Sequence, residues 1–189
     1  MLFGVGLAKE KLLEAASRRF YAEGIAATGI DAIIAEARVA KMSLYNNFAS
    51  KDELVVAYLD RRHAEWLGLL EERTRRAGSA TGEVLAVFDA YLDHAALAYV
   101  QGFRGCGLLN GAAELPTGHP GREAVRAHKD EVRRILTERC AAAGATDPEQ
   151  LGEHLFLILE GGVVSAGIEG SPERLKRARS LARLILAEK

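Results

Sequence analysis

The sequence predicts an all-α protein of about nine helices. Apolar residues recur at helical spacing along nearly the whole chain, as in Leu12, Leu13, Ala16 and Phe20, or Leu151, Leu155, Ile158 and Leu159. The breaks between these stretches carry helix start and stop signals: Gly24, Ser50-Lys51-Asp52-Glu53, Gly78-Ser79, Gly144 and Asp147-Pro148. No segment reads as a strand. With 49% apolar residues in 189, the chain can build a full core, and four prolines without repeats or low-complexity tracts predict compact folding throughout.

Residues 8–23 form the first helix, with Leu12, Leu13, Ala16, Phe20 and Tyr21 on one stripe and Gly24 as its stop. Thr28 is a candidate N-cap with Asp31 three residues on, and Ile33, Ile34 and Ala37 give the next helix an apolar face. Arg38-Val39-Ala40 is a tight turn. Lys41 to Phe48 then makes about two helical turns, with Leu44 and Phe48 on one side and Lys41, Ser43, Tyr45, Asn46 and Asn47 on the other. Ser50-Lys51-Asp52-Glu53 is a capping box that opens a helix reaching about Arg76, roughly 39 Å long, with basic last turns suited to the helix dipole.

A helix over 81–100 follows, carrying Val84, Leu85, Phe88, Leu92 and Ala95, then a short one over Cys106–Glu114. Gly121 to about Ala142 is amphipathic. Asp147-Pro148 opens the next helix with a cap and a proline at its first position, and Ser171-Pro172-Glu173 opens the last by the same device.

The two short helices at 28–48 cannot form a core alone, so their apolar residues must close on the first helix while the polar face stays outside. That face holds donors and acceptors suited to phosphates and base edges, on a rod narrow enough for a major groove. This is a helix-turn-helix layout with Lys41–Phe48 as its second, DNA-reading helix. Gly24-x-x-Ala27-Thr28, Ile30-x-x-Ile33, Glu36-Ala37-x-Val39-Ala40-Lys41-x-Ser43-Leu44-Tyr45-x-x-Phe48 and Ser50-Lys51-x-Glu53-Leu54 together resemble the DNA-binding domain of TetR-type regulators. The resemblance implies a helix-turn-helix domain over residues 1–50, a ligand-binding and dimerisation domain over 51–189, and base or phosphate contacts from Thr28, Lys41, Met42, Ser43, Tyr45, Asn46 and Lys51.

Three features depart from that pattern. Arg38 stands where such domains usually turn through a glycine with positive φ, a conformation that costs a non-glycine residue about 1–2 kcal/mol. Either the turn is shaped differently here or the domain carries that strain; Arg38 could repay part of it by reaching a phosphate, and a tolerated substitution is the plainer reading. Ala40 leaves the second helix without a side-chain cap. The start, Met1-Leu2-Phe3-Gly4-Val5-Gly6, is apolar where relatives often carry a basic arm for the minor groove.

Charge gives the motif no help. The net charge is −1, and residues 1–53 hold seven Lys or Arg against seven Asp or Glu. The basic footprint of a nucleic-acid binder is absent, so binding should rest on a few placed contacts.

Downstream, Phe103-Arg104-Gly105-Cys106, Asn110, Ala113-Glu114, His119-Pro120 and His128 resemble one subgroup of TetR-type effector domains more loosely. Trp66, Phe88, Tyr91, Phe103, Cys106, Asn110, His128 and Phe156 are candidate lining residues for an unidentified small-molecule effector. Glu160 ends an apolar run, and an unpaired buried charge is costly, so it must face water, find a partner across an interface, or bind a ligand. The helices over 148–168 and 172–187 carry Gly161, Gly162, Ala166 and Gly167, then Ala178, Leu181, Ala182 and Ile185. Two copies would pack these into a four-helix, two-fold interface of a homodimer.

Other classes find little support. Cys106 and Cys140 fit no disulfide or zinc spacing, and Cys106, His119, His128 and Glu114 match no catalytic or metal motif, so no enzyme, cofactor or metal is expected. No signal peptide or membrane-length apolar run is read, and the expectation is a cytoplasmic protein with no membrane partner. The sequence thus points to a homodimeric regulator on double-stranded operator DNA, acting as a repressor released by a small molecule. The alternative is a family member that has lost DNA binding and serves as a ligand-binding or dimeric interaction module.

Overall fold

The computed structural model describes residues 2–97 and 101–188. Among them are nine helices and no strand: α1 (Leu2–Glu23), α2 (Ile30–Ala37), α3 (Lys41–Tyr45), α4 (Lys51–Arg76), α5 (Ala80–Ala95), α6 (Gly107–Glu114), α7 (Pro120–Ala142), α8 (Pro148–Glu169) and α9 (Glu173–Ala187). The expected all-α class therefore holds. The last residues of the expected 81–100 helix, 98–100, lie outside the described residues, as does Met1.

The chain divides into two compact units. The first is built chiefly from residues up to Arg62 together with Gly107–Val125, and the second from His63 to the end of α5, Gly102–Cys106 and the chain from Arg126 onward. α4 and α7 each give residues to both.

In the first unit, Leu12, Ala16 and Phe20 of α1 bury with Ile33 of α2, Leu44 of α3 and Phe48, the closure that the short helices require. Leu54, Tyr58 and Leu59 of α4 are also buried, and the Phe20 and Tyr58 rings meet edge to face with centroids 5.5 Å apart. Gly24 ends α1 at φ +95, a conformation open to glycine at little cost. α6 seats closely in this unit: a Cβ on Gly111 would stand 3.0 Å from Leu59 and 3.3 Å from Ile25.

In the second unit α8 packs along α9. A Cβ on Gly162 would lie 2.6 Å from that of Ala178, and Leu155, Leu159, Val163 and Ala166 bury with Leu175, Ala182 and Leu186. Arg179 of α9 forms a two-pronged ion pair with Asp89 of α5, at 2.5 and 2.9 Å, and Arg73 pairs with Asp93.

Several local expectations need correction. Thr28 does not cap α2: Gly29 does, at φ −81 and ψ 152 without a side-chain bond, while the buried Thr28 hydroxyl donates to the Gly24 carbonyl at 2.7 Å. α3 ends at Tyr45 rather than Phe48. Pro172 is the N-cap of α9, not its first residue. α8 is long and apolar enough to pass for a membrane span, contrary to the expectation that no run qualifies. It nevertheless packs on α9 within the unit.

The capping signals that did form are informative. Ser50 accepts from the Glu53 N–H at 3.1 Å while Glu53 reaches back to the Ala49 N–H at 2.6 Å, one residue upstream of the usual partner. Asp147 accepts from the Gln150 N–H at 3.0 Å with Pro148 at the first turn.

Candidate functional site

In the first unit, burial of Leu44 and Phe48 turns the opposite face of α3 outward. Met42 is 66% exposed and Tyr45 50%, and Lys41 and Asn46 are exposed beside half-buried Ser43. Asn47 is turned back, its side chain donating to the Ser43 carbonyl at 2.6 Å, which ties off the end of the helix. The expected contact residues of α3 therefore share one accessible face.

Thr28 and Lys51 do not join it as free polar groups. The Thr28 hydroxyl is spent inside the loop after α1, and the Lys51 ammonium donates to the Ile25 carbonyl at 2.6 Å. Lys41 lies 3.0 Å from Asp31, whose hydrogen bond and then charge raise the lysine above its ordinary pKa. Arg38 takes φ 52 and ψ 46, and it is the one non-glycine residue with positive φ among the described residues. Ala40 precedes α3 with no side-chain cap, as its methyl requires.

A second cluster lies in the second unit. Lys129 of α7 donates to Glu160 of α8 at 2.6 Å, stands 3.9 Å from the Cys106 sulfur, and lies 5.6 Å from the centre of the Tyr91 ring. Burial pulls the Lys129 pKa down, but its interactions with Cys106, Tyr91 and Glu160 outweigh it, so the ammonium is held above the ordinary lysine range. Glu160 thus finds its partner inside its own unit rather than across an interface.

His128, next along α7, is buried between Tyr91 and His63, with Tyr91 Oη 3.1 Å from its Nε2 and His63 Nδ1 2.9 Å from its Nδ1. Burial, reinforced by Lys129 and two neighbouring histidines, lowers its pKa to about 3, so the ring is neutral. All these groups are satisfied when Tyr91 donates to His128 Nε2, His128 Nδ1–H donates to His63, and His63 Nε2–H faces Glu131 at 3.3 Å. Burial also pushes the Tyr91 phenol well above its ordinary pKa, so it stays a donor. Trp66 packs on both rings, at 5.1 Å from His128 and 5.6 Å from Tyr91, and its indole Nε1 is buried with no hydrogen-bond partner.

Of the expected ligand residues, Trp66, Tyr91, Cys106, His128 and Glu160 are therefore brought together. Phe88 is fully buried and Phe156 half-buried, and no ring contact or hydrogen bond ties either to the cluster. Phe103 is half-buried in the same unit, whereas Asn110 belongs to the other unit. Two open grooves on the second unit, one around Asp147, Gln150 and His154 and one around Asp130, Arg133 and Glu149, contain none of the expected residues. Lys129 and His63 were missed. The signal for Lys129 was its register: it falls on the stripe of α7 that buries Val125, His128, Val132 and Leu136. His119 and Glu114, grouped with Cys106 as a catalytic possibility, are engaged elsewhere: His119 Nδ1 accepts from the Gly121 N–H at 2.9 Å and Glu114 from the Ala26 N–H at 2.8 Å.

This combination, an exposed polar helix after a tight turn and a helical unit with a buried polar centre, is matched by known proteins. Residues 12–58 fit the bacterial regulatory protein tetR family, and residues 80–182 fit the tetracyclin repressor-like C-terminal domain. A TetR-family transcriptional regulator from Streptomyces coelicolor is similar over 97% of this chain and 96% of its own, at 34% identity and a TM-score of 0.87. A putative regulator of the same family from Streptomyces avermitilis is 28% identical over 93% of this chain and 97% of its own, with a TM-score of 0.70. A TetR regulator from Chloroflexus aurantiacus, 24% identical over 98% of this chain and 97% of its own, shares the fold at a TM-score of 0.81. Among curated proteins, none matches the chain. The length of the family match and the identity to the Streptomyces coelicolor regulator show that the chain belongs to the TetR family of bacterial transcriptional regulators.

Proposed function

We propose that the chain is a homodimeric repressor that leaves its operator when a small molecule binds the second unit. The observation that carries this reading is the outward face of α3, where Lys41, Met42, Ser43, Tyr45 and Asn46 stand together opposite a fully buried Leu44. Tyr45 and Ser43 suit phosphate oxygens, and Asn46 and Lys41 suit base edges. Lys51 and Thr28 act in this reading by fixing the loop ahead of α2.

Dimerisation is supported by the exposed apolar side chains of the last two helices. Leu157, Val164 and Ile168 of α8, spaced for one helix face with Gly161, are 58%, 40% and 82% exposed. Leu181 and Leu184 of α9 are 47% and 60% exposed. Gly162 and Ala178 meet in the α8–α9 contact, and Ala166 and Ala182 are buried, so in this reading the exposed stripe is the part that a partner copy would cover.

The effector reading rests on Trp66, Tyr91, Cys106, His128, Lys129 and Glu160. The unpartnered Trp66 Nε1–H calls for an acceptor, which a ligand oxygen or nitrogen would supply. α4, which follows α3 after a five-residue connection and continues into the second unit, is the covalent route by which ligand binding would reach the DNA-reading helix.

The rival module without DNA binding is favoured by one observation, the pairing of most cations in the first unit within the protein itself. Binding of duplexes tiled across the DNA upstream of the chain's own gene decides between them. The repressor reading expects one duplex bound far more tightly than a mixed-sequence control, with affinity falling as salt rises. Equal, weak and salt-independent binding to all would favour the module.

A further inference from the structure

We infer that Arg38 is a phosphate-contacting residue of the DNA interface, held at the turn between α2 and α3 to supply charge that the rest of the first unit withholds. The inference rests on the DNA-binding reading and adds a residue to it that the family resemblance does not assign.

Of the seven lysines and arginines in residues 1–53, five are committed. Arg18 pairs with Glu14 and Glu36, Arg19 with Glu23 and Glu36, and Lys41 with Asp31. Lys51 holds the Ile25 carbonyl, and Lys9 sits 5.6 Å over the Phe48 ring. Among the described residues, the side chains of Lys11 and Arg38 have no hydrogen bond, ion pair or ring contact. Lys11 lies on α1, away from the helix pair in sequence, whereas Arg38 is exposed three residues ahead of α3.

Arg38 gives the fold nothing that glycine would not. Its side chain has no polar or ring partner among the described residues, and its φ of 52 is the left-handed conformation in which glycine is at ease. A strained residue whose side chain forms no hydrogen bond or ion pair among the described residues is an outlier of the kind found at functional sites. In helix-turn-helix proteins the start of the second helix is the part nearest the bases, so a long cation just ahead of it is within reach of the backbone. A guanidinium presents a fork of donors that matches phosphate oxygens, and in a unit with balanced, self-paired charge the free cations must furnish the non-specific attraction.

Because phosphate contacts are sequence-independent, the test needs no operator. Binding of the full chain to a mixed-sequence duplex of about 30 base pairs is followed by fluorescence anisotropy between about 50 and 200 mM salt, alongside thermal melting. Arg38→Gly is expected to melt higher than the parent, yet bind severalfold more weakly, with the slope of log affinity against log salt shallower by about 0.9 per bound protomer. Arg38→Gln, which keeps side-chain length without charge, should lose the same slope, and Arg38→Lys should keep it. Parent-like slope and affinity in both Arg38→Gly and Arg38→Gln would overturn the assignment and return Arg38 to a tolerated surface residue. A parent chain that binds no duplex at any salt would overturn the DNA-binding reading, and this assignment with it.

Discussion

Glu114, the last residue of α6, accepts a hydrogen bond from the backbone N–H of Ala26 at 2.8 Å, while Lys51 in the first turn of α4 holds the carbonyl of Ile25 at 2.6 Å. The loop joining α1 to α2 is therefore pinned through neighbouring peptide groups by two other helices of the first unit. Glu114→Ala should free the Ala26 amide and speed hydrogen exchange over residues 25–29, with a stability loss of about 1 kcal/mol because the contact is exposed. Unchanged exchange in that segment would mean Lys51 and the Thr28–Gly24 bond suffice.

The faces of α3 separate binding from stability. Tyr45→Phe removes an exposed hydroxyl and should weaken DNA binding while leaving the melting temperature alone. Leu44→Ala empties a fully buried site and should cost about 2–5 kcal/mol. Parent-like DNA affinity in Tyr45→Phe would remove the phosphate role from that hydroxyl.

Assembly has a pair of opposed outcomes. Ala182 is completely buried in the second unit, so Ala182→Glu should unfold that unit rather than release folded monomers. Ile168→Glu combined with Leu184→Glu alters only exposed side chains, and should yield folded monomers in sedimentation with unchanged helicity. Dimers persisting in the double variant would place the interface on another face.

The neutral, buried His128 ties stability to pH. Its pKa falls from about 6.5 in the unfolded chain to about 3 in the fold, so between these values only the unfolded chain takes up the proton. Stability should be unaffected by this residue above about pH 6.5 and should fall by up to about 1.4 kcal/mol per pH unit below it, levelling off near pH 3. Chemical denaturation of the parent and His128→Gln across pH 4–7 measures the difference, and parallel pH profiles would show that His128 is solvated in solution.

How much was legible in the sequence follows from range. Periodicity and capping residues are local, so Asp147-Pro148 and Ser50-Lys51-Asp52-Glu53 marked helix starts correctly, whereas the residues left open whether the turn at Arg38 keeps the left-handed conformation, which it does. Thr28 misled because a threonine before a helix has two local partners, and the Gly24 carbonyl won over the α2 amides. Glu160 was flagged by its cost, but its partner Lys129 lies 31 residues away on another helix. Of the small residues of α8 and α9 read as a dimer seam, Gly162 and Ala178 meet within the chain, Gly167 closes on Gly105, and Gly161 stands open. Whether a stripe of small residues closes within one chain or between two is invisible to a one-dimensional pattern, and the approach of Gly162 to Ala178 puts that contact within one.

Induction is the central claim, and linkage gives it a direct measurement. A ligand that releases the operator must bind the DNA-free protein more tightly, and DNA must weaken the ligand by the same factor. Moving the population from 1:99 to 99:1 needs a preference of about 5.5 kcal/mol between the two states. A ligand found by thermal shift would be titrated calorimetrically into the protein alone and into its complex with the selected upstream duplex. The account expects a dissociation constant raised by orders of magnitude in the complex, with the same shift in DNA affinity when the ligand is present. Equal ligand affinity in both titrations would contradict induction and leave the cluster around Lys129 without a regulatory role.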